Sequence, residues 1–225
     1  MKKYFVSSIV IFLFLSNISI HCQVSNNQQI LNDRNTVTSV DLRSKKLEGS
    51  PYINKIFLPA KLETDGNIYS MKYNAYQDEM EVEKDGKQFN LIKKINHKIT
   101  FLNDNKIYSP YSFKENNEYK VGFFVVLLED KKISLFLKEK VKLYDEVKPK
   151  TGYEKYQPPK LKRMDDSFYI SYDSKIAVQV PKKKKEILAL FSGKADDVES
   201  YAKKNKLGFN KKDDLIKICT YYSTL

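Results

Sequence analysis

Apolar and polar positions alternate along most of the chain, most densely from Val121 to Tyr144, VGFFVVLLEDKKISLFLKEKVKLY. Successive side chains of an extended backbone point to opposite faces. Phe123, Val125 and Leu127 therefore share one face, and Phe124, Val126 and Leu128 the other. A strand apolar on both faces is covered on both, so this one is expected at the centre of a sheet. Glu129-Asp130-Lys131-Lys132 makes a turn. Ile133, Leu135 and Leu137 follow with period two, and the same parity resumes at Val141 and Leu143, which predicts a long return strand. Val121–Leu128 is far shorter than the roughly 20 residues a membrane span needs.

The preceding stretch reads as hairpins. Gly49-Ser50-Pro51-Tyr52 is a turn signal. Asp65-Gly66 and Asp85-Gly86 are two-residue hairpin loops by composition. Folding about the first pairs Leu62 with Tyr69, Ala60 with Met71 and Leu58 with Tyr73; Pro59, which lacks an N–H, puts this strand at an edge. Folding about the second pairs Val82 with Phe89 and Met80 with Leu91. The core parity is odd at Met71 and Tyr73 but even at Met80 and Val82, so a bulge or turn is expected in Asn74–Glu79. A short strand at Lys98–Phe101 turns at Asn103-Asp104-Asn105 and returns through Ile107 and Tyr108, with Pro110 ending it. Phe113–Tyr119 reads as a polar loop. Glu146–Arg163, with Pro149, Pro158 and Pro159, reads as an extended crossing or linker that Tyr153 and Tyr156 pin to the surface. Phe168–Val180 is a last hairpin about Asp173-Ser174.

From Lys182 the period becomes helical. Ile187, Leu188 and Phe191 form one stripe, and Val198, Tyr201 and Ala202 a second. Leu215, Ile218, Cys219 and Tyr222 form a third, with Asn210 as its N-cap. Helices this short need a surface to pack on. The expected fold is α+β: a mostly antiparallel β-sheet, as a sandwich or partly open barrel built from hairpins, with a tail of three short helices. The expected segments are a signal at 1–22, a flexible leader at 23–48 with a short strand at Thr36–Leu42, a β domain at 49–180 containing the crossing at 146–163, and a helical segment at 181–225 packed on it.

The N-terminus adds a location. Lys2 and Lys3, the apolar Tyr4–Leu15 and the more polar Ser16–Cys22 read as a secretory signal. It is cleaved after Cys22, lipidated at Cys22, or retained as an anchor; the sequence leaves these open. Periplasmic, outer-membrane-associated and secreted locations all follow from export. With Cys22 removed or lipidated, Cys219 has no partner for an intramolecular disulfide, and its place on a helical stripe predicts burial. The net charge of +12 stays strongly positive without Lys2 and Lys3. Export disfavours nucleic acid as its partner and leaves anionic lipid or glycan surfaces, or no partner at all.

Candidate chemistry is sparse. His97 is the one histidine beyond Cys22, too few for a zinc site or a nearby triad, and is expected at the surface. No metal or cofactor is expected. Asp78, Glu79, Glu81 and Glu83 form the most suggestive group. Glu79, Glu81 and Glu83 share a strand face and, at about 6.5–7 Å between alternate residues, offer a carboxylate pair of glycosidase spacing. The simpler expectation is a solvated face. Lys182, Lys183, Lys184 and Lys185 form a cationic run at a helix start, where the dipole disfavours them and an anionic surface could use them. Tyr69, Tyr73, Tyr76, Tyr108, Tyr111 and Tyr119 could line a groove, with Tyr76, at the parity switch, the best exposed candidate.

GSPYINKIF, MKYNAYQDEMEVE and AKKNKLGFNKKDDLIKICTYYSTL resemble a group of exported proteins of Bacteroidota, chiefly flavobacteria. The likeness runs from about Leu47 to Leu225. Its specific parts are Tyr73-Asn74-x-Tyr76-x-Asp78-Glu79-Met80-Glu81 and the ending Tyr221-Tyr222-Ser223-Thr224-Leu225. The resemblance implies a signal peptide and an envelope location, and it carries no activity or site residues. The expected function is that of a non-catalytic exported envelope protein that binds or assembles, its partner an envelope protein or an anionic surface. The alternatives are an anionic membrane or glycan binder and a carboxylate-pair glycan hydrolase. The binding candidates are Tyr76, Asp78, Glu79, Lys182, Lys183, Lys184 and Lys185.

Overall fold

The computed structural model describes residues 31–33 as backbone, and residues 47–95, 97–151, 153–172 and 176–225 in full. The signal, Cys22, the Thr36–Leu42 strand and the Asp173-Ser174 turn lie outside the described residues. Among the described residues, thirteen strands precede three helices: β1 (Leu31–Asp33), β2 (Leu58–Leu62), β3 (Ile68–Asn74), β4 (Glu79–Lys84), β5 (Lys87–Leu91), β6 (Ile99–Phe101), β7 (Ile107–Glu115), β8 (Glu118–Leu128), β9 (Ile133–Lys138), β10 (Val141–Tyr144), β11 (Lys160–Arg163), β12 (Ser167–Tyr172), β13 (Val178–Gln179), α1 (Lys184–Leu190), α2 (Ala195–Lys204) and α3 (Lys212–Thr224). Eleven strands form one antiparallel sheet in the order β1-β5-β4-β3-β2-β6-β7-β8-β9-β12-β13, and β10 and β11 form a separate ribbon. The fold is mixed α+β, an open, curled antiparallel sheet with a C-terminal set of three helices.

The curl brings β3 and β4 over β8. Tyr73, Met80, Val82, Phe123 and Val125 meet in one core, with Tyr73 edge-on to Phe123. Farther along the same face, Ile133, Leu135 and Ile170 lie under the helices, which contribute Ile187, Phe191, Val198, Leu215, Ile218 and Tyr222. The opposite face holds Phe113, Phe124, Phe136 and Tyr169. β8 is thus buried on both faces, as its double apolar pattern predicts. Each such side chain is worth about 1.5–3 kcal/mol on burial. Cys219 is fully buried, and burial pushes its thiol up to about 12.

Local chemistry explains where the sequence reading held and where it slipped. Asp85 and Gly86 both take positive φ and close a two-residue loop, with Val82 opposite Phe89 as expected. Asp65-Gly66 closes differently. Ala60 pairs with Tyr69 and Leu58 with Met71, two residues from the expected register. The loop spans Glu63–Gly66: Leu62 N–H donates to Asn67 O, and the Asp65 carboxylate accepts from Asn67 N–H. A slip of two preserves which residues face the core. Pro59 does not mark an edge, because β2 lies between β3 and β6. Its carbonyl accepts from Leu102 N–H, just past the end of β6, so its missing donor costs one bond at the end of that pairing.

Pro110 does not end β7 either. It sits opposite Phe123, whose own N–H and C=O point away from β7, and β6 has stopped on the other side. β7 runs on to Glu115 and turns through Asn116 and Asn117, both at positive φ, so Phe113–Tyr119 is a tight hairpin rather than a loop. The long return strand breaks at Glu139-Lys140, where β10 leaves to pair with β11. Residues 146–151 and 153–163 fold back as an arm, and Tyr153 does not pin it, being fully exposed, while Tyr156 bonds Glu146 within the arm. Asn210 does not cap α3; Lys211 holds that position, without a side-chain cap. Among the described residues, no helix is long and apolar enough to cross a membrane.

Candidate functional site

The acidic group is dismantled by the fold. The parity switch falls in the turn between β3 and β4, where Asn74 faces Glu79 and Asp78 takes φ 58°. This turn is wedged against β8 beside the place where β9 ends. Asp78 Oδ1 accepts from the N–H of Phe123 at 3.1 Å, and Lys138 Nζ donates to Phe123 O at 2.8 Å. The two side chains meet at 2.6 Å. The ion pair thus takes the place of a strand, satisfying the β8 backbone groups that β9 leaves unpaired. Tyr73 donates to Asp78 at 2.7 Å, Lys93 lies 3.4 Å from it, and Val141 N–H donates to Ala75 O.

Gly122 makes room for the pair. A Cβ there would lie 2.5 Å from Asp78 Oδ2, 2.7 Å from Lys138 Nζ and 2.9 Å from the Phe113 ring. Lys138 Nζ also sits over the Phe113 and Phe124 rings. Burial pulls its ammonium below the ordinary lysine value, an effect Asp78 partly offsets.

Glu81 is not on a solvated face. It is fully buried, 3.7 Å from Lys72, and hydrogen-bonded by Tyr52 and Asn74. Lys72 Nζ stands 3.7 Å from the centroid of Tyr52 and 4.3 Å from that of Phe57. The segment after Gly49 therefore covers the outer face of β3 and β4. The register could have revealed this, since Lys72 is the cross-strand neighbour of Glu81. Glu79 accepts from Asn90, and Glu83 is exposed. None of the three carboxylates lines any of the three grooves whose walls fall within residues 166–210, 53–108 and 48–162. Tyr76 is partly exposed; Tyr73, Tyr108 and Tyr111 are buried, Tyr69 is half-buried and Tyr119 exposed, so the tyrosines do not line one groove. His97 is buried rather than at the surface, and burial with nearby Lys94 lowers its pKa.

A second buried acid, Glu139, carries no signal in the sequence. It accepts from Tyr108 and lies 3.0 Å from Lys106 and 3.1 Å from Arg163, tying β7 to the root of the β10–β11 ribbon. Its position in LKEKV gave no period-based signal, because the strand breaks there.

The basic group has the opposite fate. Lys182, Lys183, Lys184 and Lys185 are all exposed at the start of α1. Lys183 pairs with Glu186 and Lys184 with Glu199. Lys182 and Lys185 have no ion-pair partner among the described residues. Lys182 and Lys184 line a groove of about 480 Å³ between β12, β13, α1 and the approach to α3. Its other walls are Phe168, Val180, Pro181, Ile187 and Phe209, with Ser167, Gln179 and Asn210 as polar groups. The apolar members are half-buried or buried and the lysines exposed, so the charge stands at the mouth. Asp166 also lines the groove, but Arg163 pairs with it. The result is an apolar slot with a cationic rim, able to hold a hydrocarbon portion and an anionic group together. Among the described residues no cluster of His, Cys, Asp and Glu could hold a metal ion.

Comparison with protein-family models, with curated proteins and with solved structures gives no match.

Proposed function

We propose that this chain is a non-catalytic binding protein of the cell envelope, and that the Lys182–Lys184 groove holds an apolar ligand bearing an anionic group. The observation that carries this reading is the placement of two lysines of the run at the mouth of an apolar slot. Pockets that bind small molecules pair apolar walls with a few polar groups that fix orientation. Export is supported by Lys2, Lys3 and the apolar Tyr4–Leu15.

Titration with dansyl-undecanoate tests the reading. Wild type gives a saturable rise in dansyl emission that weakens with added salt. The Lys182→Glu/Lys184→Glu variant loses it, and Phe209→Ala weakens it. A non-saturating signal, or one unchanged in the double lysine variant, contradicts the proposal.

A further inference from the structure

The arm that runs out along β10 and returns along β11 carries a second surface, unrelated to the groove above. Leu143 and Leu161 face each other across the ribbon and pack toward the core. Tyr144 and Lys160, and Lys142 and Lys162, are therefore the outward pairs. Beyond them the arm remains ordered by its own bonds. Val147 and Gln157 exchange both backbone hydrogen bonds, at 2.9 and 3.0 Å. Its base is clamped by Glu48, which donates to Pro159 O and accepts from Leu161 N–H. Gly49 holds that clamp at φ 87°, where a Cβ would lie 2.0 Å from Leu161 O.

This arm exposes apolar area that a solvated crossing does not need. Tyr153 is fully exposed, Tyr156 is 52% exposed and Tyr144 41%. Tyr144, Tyr156 and Pro158 wall a groove of about 450 Å³, with Lys160, Lys162 and Gln157 as its donors. Asp145 and Glu48 add acceptors. Between Val141 and Arg163 the chain has seven basic and three acidic side chains.

We infer that this groove binds an acidic polysaccharide. Flat tyrosine walls suit the C–H faces of sugar rings, and the carboxylates and the amide suit hydroxyls. The lysines and the positive balance suit acid groups repeated along the chain. A lipid surface fits less well. The patch is concave, its aromatic groups are tyrosines with polar tips, and its aliphatic lining is limited to Val147 and Pro158. The groove walls are already held by the Val147–Gln157 and Glu48 backbone bonds without ligand, which lowers the ordering cost of binding.

The test uses the full chain and titrates it with polygalacturonate, with dextran and with vesicles of phosphatidylglycerol and phosphatidylcholine. The inference expects saturable binding to polygalacturonate and little to dextran or vesicles. Tyr144→Ala/Tyr156→Ala should weaken it at least about fivefold, and Lys160→Glu/Lys162→Glu should abolish it, with unchanged urea midpoints. Tyr156→Phe, which keeps the ring and removes the bond to Glu146, should bind as wild type. Lys182→Glu/Lys184→Glu should leave binding unchanged, so this result is independent of the first groove. Three outcomes overturn it: no binding to polygalacturonate, preferential binding to vesicles, or loss on lysine reversal with full retention in the tyrosine variant. The last marks plain charge attraction.

Discussion

Two charged stretches stand out in this chain, and the fold uses them in opposite ways. Asp78, Glu79 and Glu81 lie at a turn pressed into the sheet, where Asp78 meets Lys138 and Glu81 meets Lys72. Lys182–Lys185 lie at a helix start that remains in solvent, beside an apolar slot. In sequence both looked like surface charge. What separates them is the supply of partners. The acids are opposed by lysines across strands and by backbone groups a broken ladder leaves unpaired. Of the two lysines that line the slot, Lys184 pairs with Glu199 at the surface and Lys182 has no ion-pair partner among the described residues. Charge that the fold pairs becomes scaffold, and charge it leaves open at a groove is available to a ligand.

Breaking the scaffold should have the largest effect. Asp78→Ala leaves Lys138 buried without its counter-charge and Phe123 N–H without an acceptor. A loss of about 3–5 kcal/mol is typical of removing one member of a buried pair. Asp78 keeps some solvent contact, which places the expected loss toward the lower end; urea denaturation measures it. Gly122→Ala should cost less, about 1–3 kcal/mol, because its Cβ pushes directly on the carboxylate and the ammonium. A wild-type midpoint for either variant would show that the pair does not close the sheet.

The pH dependence of Lys138 sharpens the same contrast. Its folded pKa lies below the unfolded value of about 10.5. Between the two, the unfolded chain binds more protons, so stability rises with pH across that window. The difference in unfolding free energy between wild type and Lys138→Met should therefore grow as pH rises toward 10.5. A difference that shrinks with pH contradicts the assigned direction. The smallest effect is expected in the basic run, where Lys182→Glu/Lys185→Glu should change stability by no more than about 0.5 kcal/mol. A large loss there would make the lysines structural as well.

The α+β class, β8 as the central strand, the helical stripes and the face of nearly every apolar residue were legible because burial imposes a period. Turn geometry was legible only where one arrangement dominates. Asp85-Gly86 closed as composition predicts, whereas Asp65 used its carboxylate to hold a four-residue loop, and Asn116-Asn117 formed a hairpin without glycine. The prolines misled because their effect depends on which side the absent N–H faces, a property of neighbouring strands. The buried charges Lys138 and Glu139 were hidden for the same reason: their partners are distant in sequence, and Lys138 reaches Asp78 across sixty positions, whereas Glu81 pairs with its cross-strand neighbour Lys72. The lysine run was visible as composition. The groove beside it was not, since its walls come from β12, β13, α1 and the residues before α3.

The account is tested most directly by amide and methyl chemical shifts of the protein titrated with undecanoate. It predicts saturable shifts at Phe168, Val180, Ile187 and Phe209, with Asp78, Gly122 and Lys138 unmoved. Shifts centred on Asp78 and Lys138, or none at the groove, would contradict the division between scaffold charge and ligand charge.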